Sequence, residues 1–194
     1  TLTGAGQLNT FINPDPAKTD NHDCSRNGGV AHHGIIIKAQ HVTIQDLAID
    51  GGASYQYRMG ITSKFWDGGP YDFATIENVT VQRTWNRGIL LQRDGAITTG
   101  HKVLSTTVKN SSSCVSFAIQ VMNADNTEIA GCTVTNFGHG IATANLTGIS
   151  TLCNIHDNNV TDVPGQAFTL THNSSPGCVF NNNTANFSTL TPTT

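Results

Sequence analysis

The charged side chains that could transfer protons or bind anions are concentrated in the early part of this 194-residue chain. All ten lysines and arginines lie at or before Lys109, and the residues after it contain only four acids, Asp125, Glu128, Asp157 and Asp162. A cation beside carboxylates in a partly desolvated groove can exchange a proton, because burial lowers the pKa of a cation. We therefore expect any ionic site to lie in the early part of the chain, within the first three or four coils of the repeat described below.

The candidate catalytic residues are the ionisable side chains in or next to the long polar segments of that early part: Arg58, Lys64, Arg87, Asp50, Asp67 and Asp94. The candidate substrate-binding residues are aromatic or cationic: Trp66, Tyr71, Arg93 and Lys38. Aromatic faces of this kind stack on sugar rings, and cations bind anionic groups. An alternative role for Trp66, and also for Trp85, is to cap the hydrophobic core.

A separate polar cluster lies between residues 22 and 33 and contains His22, Asp23, His32 and His33. Histidine and aspartate can bind a divalent metal, but the spacing matches no defined ligand set, so the identity of any metal ligands is unknown from the sequence. The alternative is that His32 and His33 occupy a turn that the repeat described below requires. The five cysteines show no CxxC pair and no zinc-type spacing.

Composition limits the class of protein. Only 12% of the residues are charged and the formal net charge is -3, so we expect no nucleic-acid partner. No apolar run is long enough to cross a membrane. Seven Asn-x-Ser/Thr triplets are compatible with a secreted, extracellular protein. We expect one domain over residues 1–187, followed at residues 188–194 by the start of a Pro/Thr linker or a frayed tail.

The chain repeats with a period of about 25 residues. An aliphatic residue is followed three and five positions later by further core positions, and the first members are Ile44, Ile76, Val103, Ile129, Ile155 and Phe180. A second pattern, a small residue before an apolar alternation, begins at Gly34, Gly60, Gly88, Ala118, Gly140 and Ala167. Short alternating strands at this period predict a solenoid of parallel coils, because one coil cannot bury its inward residues alone.

Equal positions of successive coils should therefore stack in columns about 4.8 Å apart. Asn158 and Asn183 share a column, where stacked amides can bond the backbone of a turn. Cys153 and Cys178 also share one, so they are close enough for a disulfide, with stacked free thiols as the alternative. Outward columns, such as the one at Ile36, Thr62, Leu90, Gln120 and Ala142, should form either long grooves for an extended polysaccharide or plain solvated faces.

The segments HVTIQDLAIDGG at 41–52 and FATIENVTVQRTWNRGILL at 73–91 resemble coils of the right-handed parallel β-helix of the pectate-lyase-like superfamily. The resemblance covers about residues 30–187. It implies an all-β fold, a single-stranded right-handed parallel β-helix (solenoid) of about six to seven coils. It is specific for the fold and not for the activity.

The superfamily resemblance also implies two kinds of chemistry. Lyases of this type use an arginine or lysine to take the C5 proton of a uronic acid, with Ca²⁺ held by aspartates beside the substrate carboxylate. The matching candidates are Arg58, Lys64, Arg83, Arg87 and Arg93 as base or clamp, with Asp46, Asp50, Asp67 and Asp94 as acids or calcium ligands. Hydrolases use paired acids, and Asp50 with Asp67 or Asp94 would be such a pair.

The segment GHG at 138–140 resembles the histidine motif of polygalacturonase-type β-helices. However, Gly140 belongs to the repeat column of Gly34, Gly60 and Gly88, and the paired Asp-Asp and Arg-x-Lys motifs are missing downstream. His139 is therefore a weak catalytic candidate.

These features together predict a secreted carbohydrate-active domain that acts on an acidic polysaccharide by lyase or hydrolase chemistry. The alternative is a non-catalytic β-helix that binds glycans or serves as an adhesive or structural module, such as part of a phage or cell-surface spike.

Overall fold

The computed structural model describes residues 1–6, 11–12, 33–52, 57–63, 69, 71–93, 96–110, 116–145, 152–172 and 177–187. Regular structure in these ranges is β-strand, arranged in three parallel sheets and one small strand pair. No helix in the described part of the chain is long and apolar enough to cross a membrane. The predictions for residues 188–194 lie outside the described residues.

The chain visits the three sheets in the same order in each coil, first sheet A, then sheet B, then sheet C. Sheet A contains Leu2–Thr3, Thr43–Gln45, Thr75–Glu77, Lys102–Leu104, Thr127–Ala130, Cys153–His156 and Cys178–Asn181. Sheet B contains Phe11–Ile12, Ala48–Asp50, Thr80–Gln82, Thr107–Lys109, Thr133–Thr135, Asn159–Thr161 and Thr184–Asn186. Sheet C contains His33–Ile37, Tyr57–Ser63, Thr84–Gln92, Phe117–Met122, His139–Asn145 and Phe168–His172. The small pair is Thr98–Thr99 with Ala124–Asp125.

Five successive coils, between Thr43 and His172, contribute a strand of three or more residues to all three sheets. An earlier coil adds shorter strands to sheets A and B, and a final coil adds strands to sheets A and B. The solenoid thus has about five complete coils, slightly fewer than the predicted six to seven, because the first and last coils are incomplete in the described residues. The predicted all-β parallel solenoid is therefore confirmed.

The predicted columns are confirmed by the strand register. Ile44 pairs with Ile76, Ile76 with Val103, and the series continues through Ile129 and Ile155. All five side chains are buried, so they form one continuous aliphatic stack inside the solenoid. The second repeat pattern also aligns, since Ile61, Ile89, Ile119 and Ile141 are neighbours along sheet C.

A single residue with positive φ makes the sharp turn between sheets A and B. The positions are Asp46, Asn78, Ser105, Gly131, Asp157 and Asn182, with φ between 46° and 63°. Glycine, asparagine and aspartate tolerate this left-handed conformation better than most residues. The repeated Asn/Asp/Gly composition of the turns thus follows from the bend that each coil must make.

The asparagine column stabilises the same turn, as the sequence predicted. Asn158 Nδ2 donates to Ile129 O at 2.9 Å, and its Oδ1 accepts from Cys132 N at 2.9 Å. In the next coil Asn183 Nδ2 donates to Ile155 O at 2.8 Å, and its Oδ1 accepts from Asn158 Nδ2 at 2.8 Å. The amides therefore satisfy backbone groups inside the turn.

The last two coils are covalently joined, which decides between the two alternatives left open for their cysteines. Cys153 and Cys178 form a disulfide, and their Cα atoms are 4.4 Å apart. Cys132 has a free, buried thiol, and burial raises its pKa to about 12. The disulfide fixes the final coil to the one before it.

The glycine column in sheet C allows the solenoid to bend tightly towards sheet B. A Cβ on Gly60 would lie 2.2 Å from Val81 Cγ1 and 2.8 Å from Gly88 O. Real Cβ atoms do not approach other heavy atoms so closely. The residues of this column are therefore glycine or alanine, because the bend leaves no room for a larger side chain.

One outward column differs from the expected open groove. Thr62, Leu90, Gln120 and Ala142 face away from the core of the solenoid, yet each is at most 7% exposed. The prediction of an exposed face is therefore wrong for this part of sheet C. Strand alternation gives the direction of a side chain, but it does not determine whether other parts of the protein cover that side chain.

Candidate functional site

Two arginines of neighbouring coils lie together on the outward side of sheet C. Tyr57 pairs with Thr84 but Met59 pairs with Arg87, so strand Thr84–Gln92 contains one extra residue in this interval. A bulge of this kind bends the strand and redirects its side chains. We call Arg58, Trp85, Asn86, Arg87 and Gln120 the arginine site.

Side-chain contacts hold both guanidinium groups of the arginine site. Arg87 Nε donates to Gln120 Oε1 at 2.5 Å, and Arg87 Nη1 donates to Asn86 Oδ1 at 2.8 Å. The guanidinium carbon of Arg58 lies 5.7 Å from the centroid of the Trp85 ring, within the range of a cation–π interaction. The neighbouring coils thus orient the two cations before any ligand binds.

The arginine site is electropositive and partly desolvated. Burial, and then the nearby charge of Arg58, lower the pKa of Arg87. Arg58 Nε is a buried donor without a hydrogen-bond partner. Neither arginine has a carboxylate within salt-bridge distance in the described part of the chain. Two half-buried cations in this arrangement can bind an anion such as a carboxylate.

Asp50 lies nearby in sequence but is already engaged in an ion pair. Arg83 Nε donates to Asp50 Oδ1 at 2.6 Å, and Arg83 Nη2 contacts Asp50 Oδ2. Gln82 Nε2 and Gly52 N also donate to this carboxylate, at 2.7 and 2.9 Å. Burial alone would raise the pKa of Asp50, but these hydrogen bonds and the charge of Arg83 hold it below its usual value. Asp50 is therefore ionised, with both oxygens occupied.

A second ionic network, which the sequence analysis missed, lies on the outward face of sheet A. Lys102 Nζ lies 2.9 Å from Glu128 Oε2, and Glu128 Oε1 lies 3.5 Å from His156 Nε2. His156 Nδ1 lies 2.6 Å from Asp157 Oδ2. The hydrogen bond with Asp157 raises the pKa of His156, burial opposes this effect, and Glu128 raises the pKa further. The expectation that ionic groups cluster only before Lys109 is therefore incomplete.

The strand register of the repeat places the charged residues of this network next to each other. Lys102 pairs with Glu128 in the strand register, and Ala130 pairs with His156. Aligning the outward columns coil by coil would have placed opposite charges next to each other.

Comparison with known families identifies the fold independently of the structure. The profile of the family described as right-handed β-helix region matches residues 33–189. The chain belongs to this right-handed β-helix family. Neither a search of curated proteins nor a search of solved structures gave a match. The handedness of the family agrees with the strong preference of parallel crossovers for the right-handed form.

Within this right-handed β-helix the predicted site residues lie in different environments. Arg58 and Arg87 lie together, whereas Asp50 is paired with Arg83. Tyr71 is 7% exposed and packs in the core, so its ring is not on the surface where a sugar could stack. Lys38 is exposed and Arg93 is half-buried. The remaining candidates, Lys64, Trp66, Asp67 and Asp94, lie outside the described residues.

The weaker histidine candidates occupy structural positions where they are described. His33 pairs with Met59, and Met59 with Arg87, as the repeat predicted for this turn. His139 stacks on Phe117, with ring centroids 4.8 Å apart, and its Nδ1 accepts from Gln166 N at 2.8 Å. The other members of the early cluster, His22, Asp23 and His32, lie outside the described residues.

Two of the candidate calcium ligands, Asp46 and Asp50, contact other side chains of the protein. Arg83 occupies the carboxylate of Asp50, and Asp46 Oδ1 accepts from Asn78 Nδ2 at 2.6 Å. No group of three or more His, Cys, Asp or Glu side chains is arranged for a metal ion among the described residues. The calcium site stays a prediction, and its other candidate ligands, Asp67 and Asp94, lie outside the described residues.

Proposed function

We propose that this β-helix is a secreted carbohydrate-active domain that binds an acidic polysaccharide at the arginine site and cleaves it by β-elimination. The observation that carries the proposal is the pair of half-buried guanidinium groups, Arg58 and Arg87, with no described carboxylate partner. A uronic-acid carboxylate would supply the missing negative charge. Trp85 adds an aromatic ring beside Arg58.

Each arginine has a distinct part in this proposal. Arg58 binds the carboxylate of the sugar and stabilises the charge that develops on it when C5 loses its proton. Arg87 takes that proton, because burial and the charge of Arg58 lower its pKa. The electrons of the C5–H bond form a double bond between C4 and C5, the C4–O bond breaks, and the leaving oxygen takes a proton from water. Lys64 is the alternative base.

The state of Asp50 favours elimination over hydrolysis. A general acid in a glycosidase must hold a proton near neutral pH, which requires a raised pKa. The pKa of Asp50 is lowered instead, and Arg83 covers its oxygens. Asp50 is therefore unsuited to be the general acid, and its ion pair with Arg83 hinders it as the ionised partner, so paired-acid hydrolysis would need Asp67 and Asp94.

The test is an activity assay on polygalacturonate and alginate, with and without Ca²⁺. We expect ultraviolet absorbance from an unsaturated product, and a rate at least about 100-fold lower in Arg87→Ala because a general base typically contributes that much. Lys109→Ala, which removes a cation from sheet B, is the matched control and should retain activity. An Arg87→Ala variant as active as the control would refute the assignment of the base, and a Ca²⁺ requirement would support the calcium prediction.

A second candidate function is non-catalytic glycan binding, in an adhesive or structural module. It is favoured by the engagement of Asp50 in an ion pair, which leaves the arginine site as a cationic binding surface without a described free acid. In that case polyuronate would retard the protein in an affinity gel, Arg58→Ala would abolish the retardation, and neither unsaturated product nor new reducing ends would form.

A further inference from the structure

A groove on the outward face of sheet A lies apart from the arginine site. It has a volume of about 580 Å³ and spans five coils, from Phe73 and Lys102 through Glu128 and Asn154 to Asn181. We call it the sheet A groove. Neighbouring coils are about 4.8 Å apart, so the groove follows the solenoid axis and suits an extended chain.

The lining of the sheet A groove combines amides with apolar side chains. Asn126, Asn154 and Asn181 come from three successive coils. Among the apolar lining residues, Leu152 is 54% exposed and Val179 is 52% exposed. Amides donate to and accept from sugar hydroxyls, and apolar side chains pack against the C–H faces of sugar rings. The lining thus has the chemistry of a glycan-binding surface.

Phe73 marks one end of the groove and has an unusual backbone conformation. Its φ is 57°, and it is the only apolar side chain with positive φ in the described part of the chain. A bulky residue is strained in this region, where most other turns of this protein use Asn, Asp or Gly and the exceptions are the polar residues His41, Arg83 and Ser105. Such strain persists where a side chain is needed in one place.

Neighbouring residues also fix the Phe73 ring. It stacks on His41 with ring centroids 4.6 Å apart and an interplanar angle of 2°. On Gly100 a Cβ would lie 2.4 Å from the ring, so only glycine leaves it room. Phe73 remains 41% exposed, and its free edge lines the groove. A rigid aromatic group of this kind is a suitable anchor for a sugar.

The charges at the sheet A groove select against polyuronates. Lys102 is neutralised by Glu128, and His156 lies between Glu128 and Asp157. Asp125 adds a further carboxylate close by, since its Oδ1 accepts from Leu152 N at 2.6 Å. Among the described residues the groove therefore has no unbalanced cation to attract a chain of carboxylates, in contrast to the arginine site.

We infer that the sheet A groove binds a neutral oligosaccharide laid along the solenoid axis, with Phe73 as the aromatic anchor and Asn154 and Asn181 as hydrogen-bonding residues. This site is separate from the arginine site and does not depend on elimination chemistry.

Isothermal titration calorimetry with neutral hexasaccharides of β-1,4-linked glucose, mannose and xylose tests this inference. We expect at least one to bind, and a double variant Asn154→Ala/Asn181→Ala to bind it about tenfold more weakly, in line with the loss of one or two neutral hydrogen bonds. Asn159→Ala is the matched control, because Asn159 is also exposed and lies in the same coil as Asn154, but on sheet B. Arg58→Ala should leave this binding unchanged.

A second variant separates binding from folding. Phe73→Asn removes the aromatic ring but tolerates the left-handed turn, so we expect a melting temperature close to that of the wild type together with at least tenfold weaker binding. The inference is overturned if none of the three hexasaccharides binds, or if the groove variants bind as well as Asn159→Ala. Retained neutral-sugar binding in a protein that shows neither polyuronate binding nor cleavage would remove the proposed function and leave this inference intact.

Discussion

Protonation of His101 should control the stability of the solenoid at mildly acidic pH. The side chain is fully buried, its Nδ1 accepts from Ala74 N at 3.4 Å, and its Nε2 lies 2.8 Å from Thr98 Oγ1. A proton on Nδ1 would break the first bond and place a charge in the core. Burial therefore lowers the pKa of His101 to about 4, although the charge of Asp72 acts in the opposite direction.

The sign and size of this pH effect on stability follow from the pKa of His101 in the unfolded chain and its pKa in the folded chain. Above pH 6.5, the ordinary value, His101 is neutral in both the folded and the unfolded chain and contributes no pH dependence. Below that value the unfolded chain binds a proton and the folded chain does not, so stability falls until the pH reaches about 4. The shift corresponds to a total loss of about 3 kcal/mol, at about 1.4 kcal/mol per pH unit.

Urea denaturation at a series of pH values between 4 and 7.5 measures this loss. The comparison is with His101→Gln, which retains a polar side chain but does not titrate. His156 has the opposite effect, because its raised pKa stabilises the fold at low pH and this stabilisation is lost as the pH rises. The contribution of His156 is the same in the wild type and in His101→Gln, so it cancels when the stability of one is subtracted from that of the other. Parallel curves for the two proteins would refute the reasoning, because they would show that His101 does not titrate differently on folding.

Three further predictions concern the scaffold. Replacing Cys153 and Cys178 by serine should lower the free energy of unfolding by about 3 kcal/mol, since the disulfide closes a loop of 25 residues, and denaturant titration would show it. Gly60→Ala should cost about 1–3 kcal/mol because its Cβ would meet Val81, and an unchanged melting temperature would contradict the account of the glycine column. Asn158→Ala should destabilise by about 1–3 kcal/mol for each backbone group left unsatisfied, whereas Asn159→Ala, which changes an exposed neighbour, should have little effect in the same thermal assay.

The repeat predicted the fold because each coil must bury the same positions against its neighbours. That requirement set the register of Ile44, Ile76 and Val103, and it also placed Asn158 and Asn183 in the turn. The burial of Thr62 and Leu90 could not be predicted in the same way. The two-residue alternation of a strand predicts which face of the sheet a side chain is on. Whether other parts of the protein cover that side chain depends on tertiary contacts, and these leave no periodic pattern in the sequence.

The candidate site was less predictable than the fold. Arg58 and Arg87 were selected as two of several cations in the first half of the chain, but their approach depends on a bulge that the sequence does not show. Tyr71 was selected as an aromatic residue that could stack on a sugar ring, but it packs in the core, and the sequence around it does not distinguish a buried ring from an exposed one. The pair of Lys102 and Glu128 was overlooked because the charges were counted along the chain instead of across the coils.

The disulfide at the end of the solenoid has a consequence for the sheet A groove. Phe180 is 44% exposed although Ile155, its equivalent in the preceding coil, is buried, so hydrophobic burial secures the final coil less well. Reduction of Cys153 and Cys178 would allow this coil to separate and would remove Asn181 from the groove. The redox state of the surroundings would then set the length of sugar chain that the protein can hold.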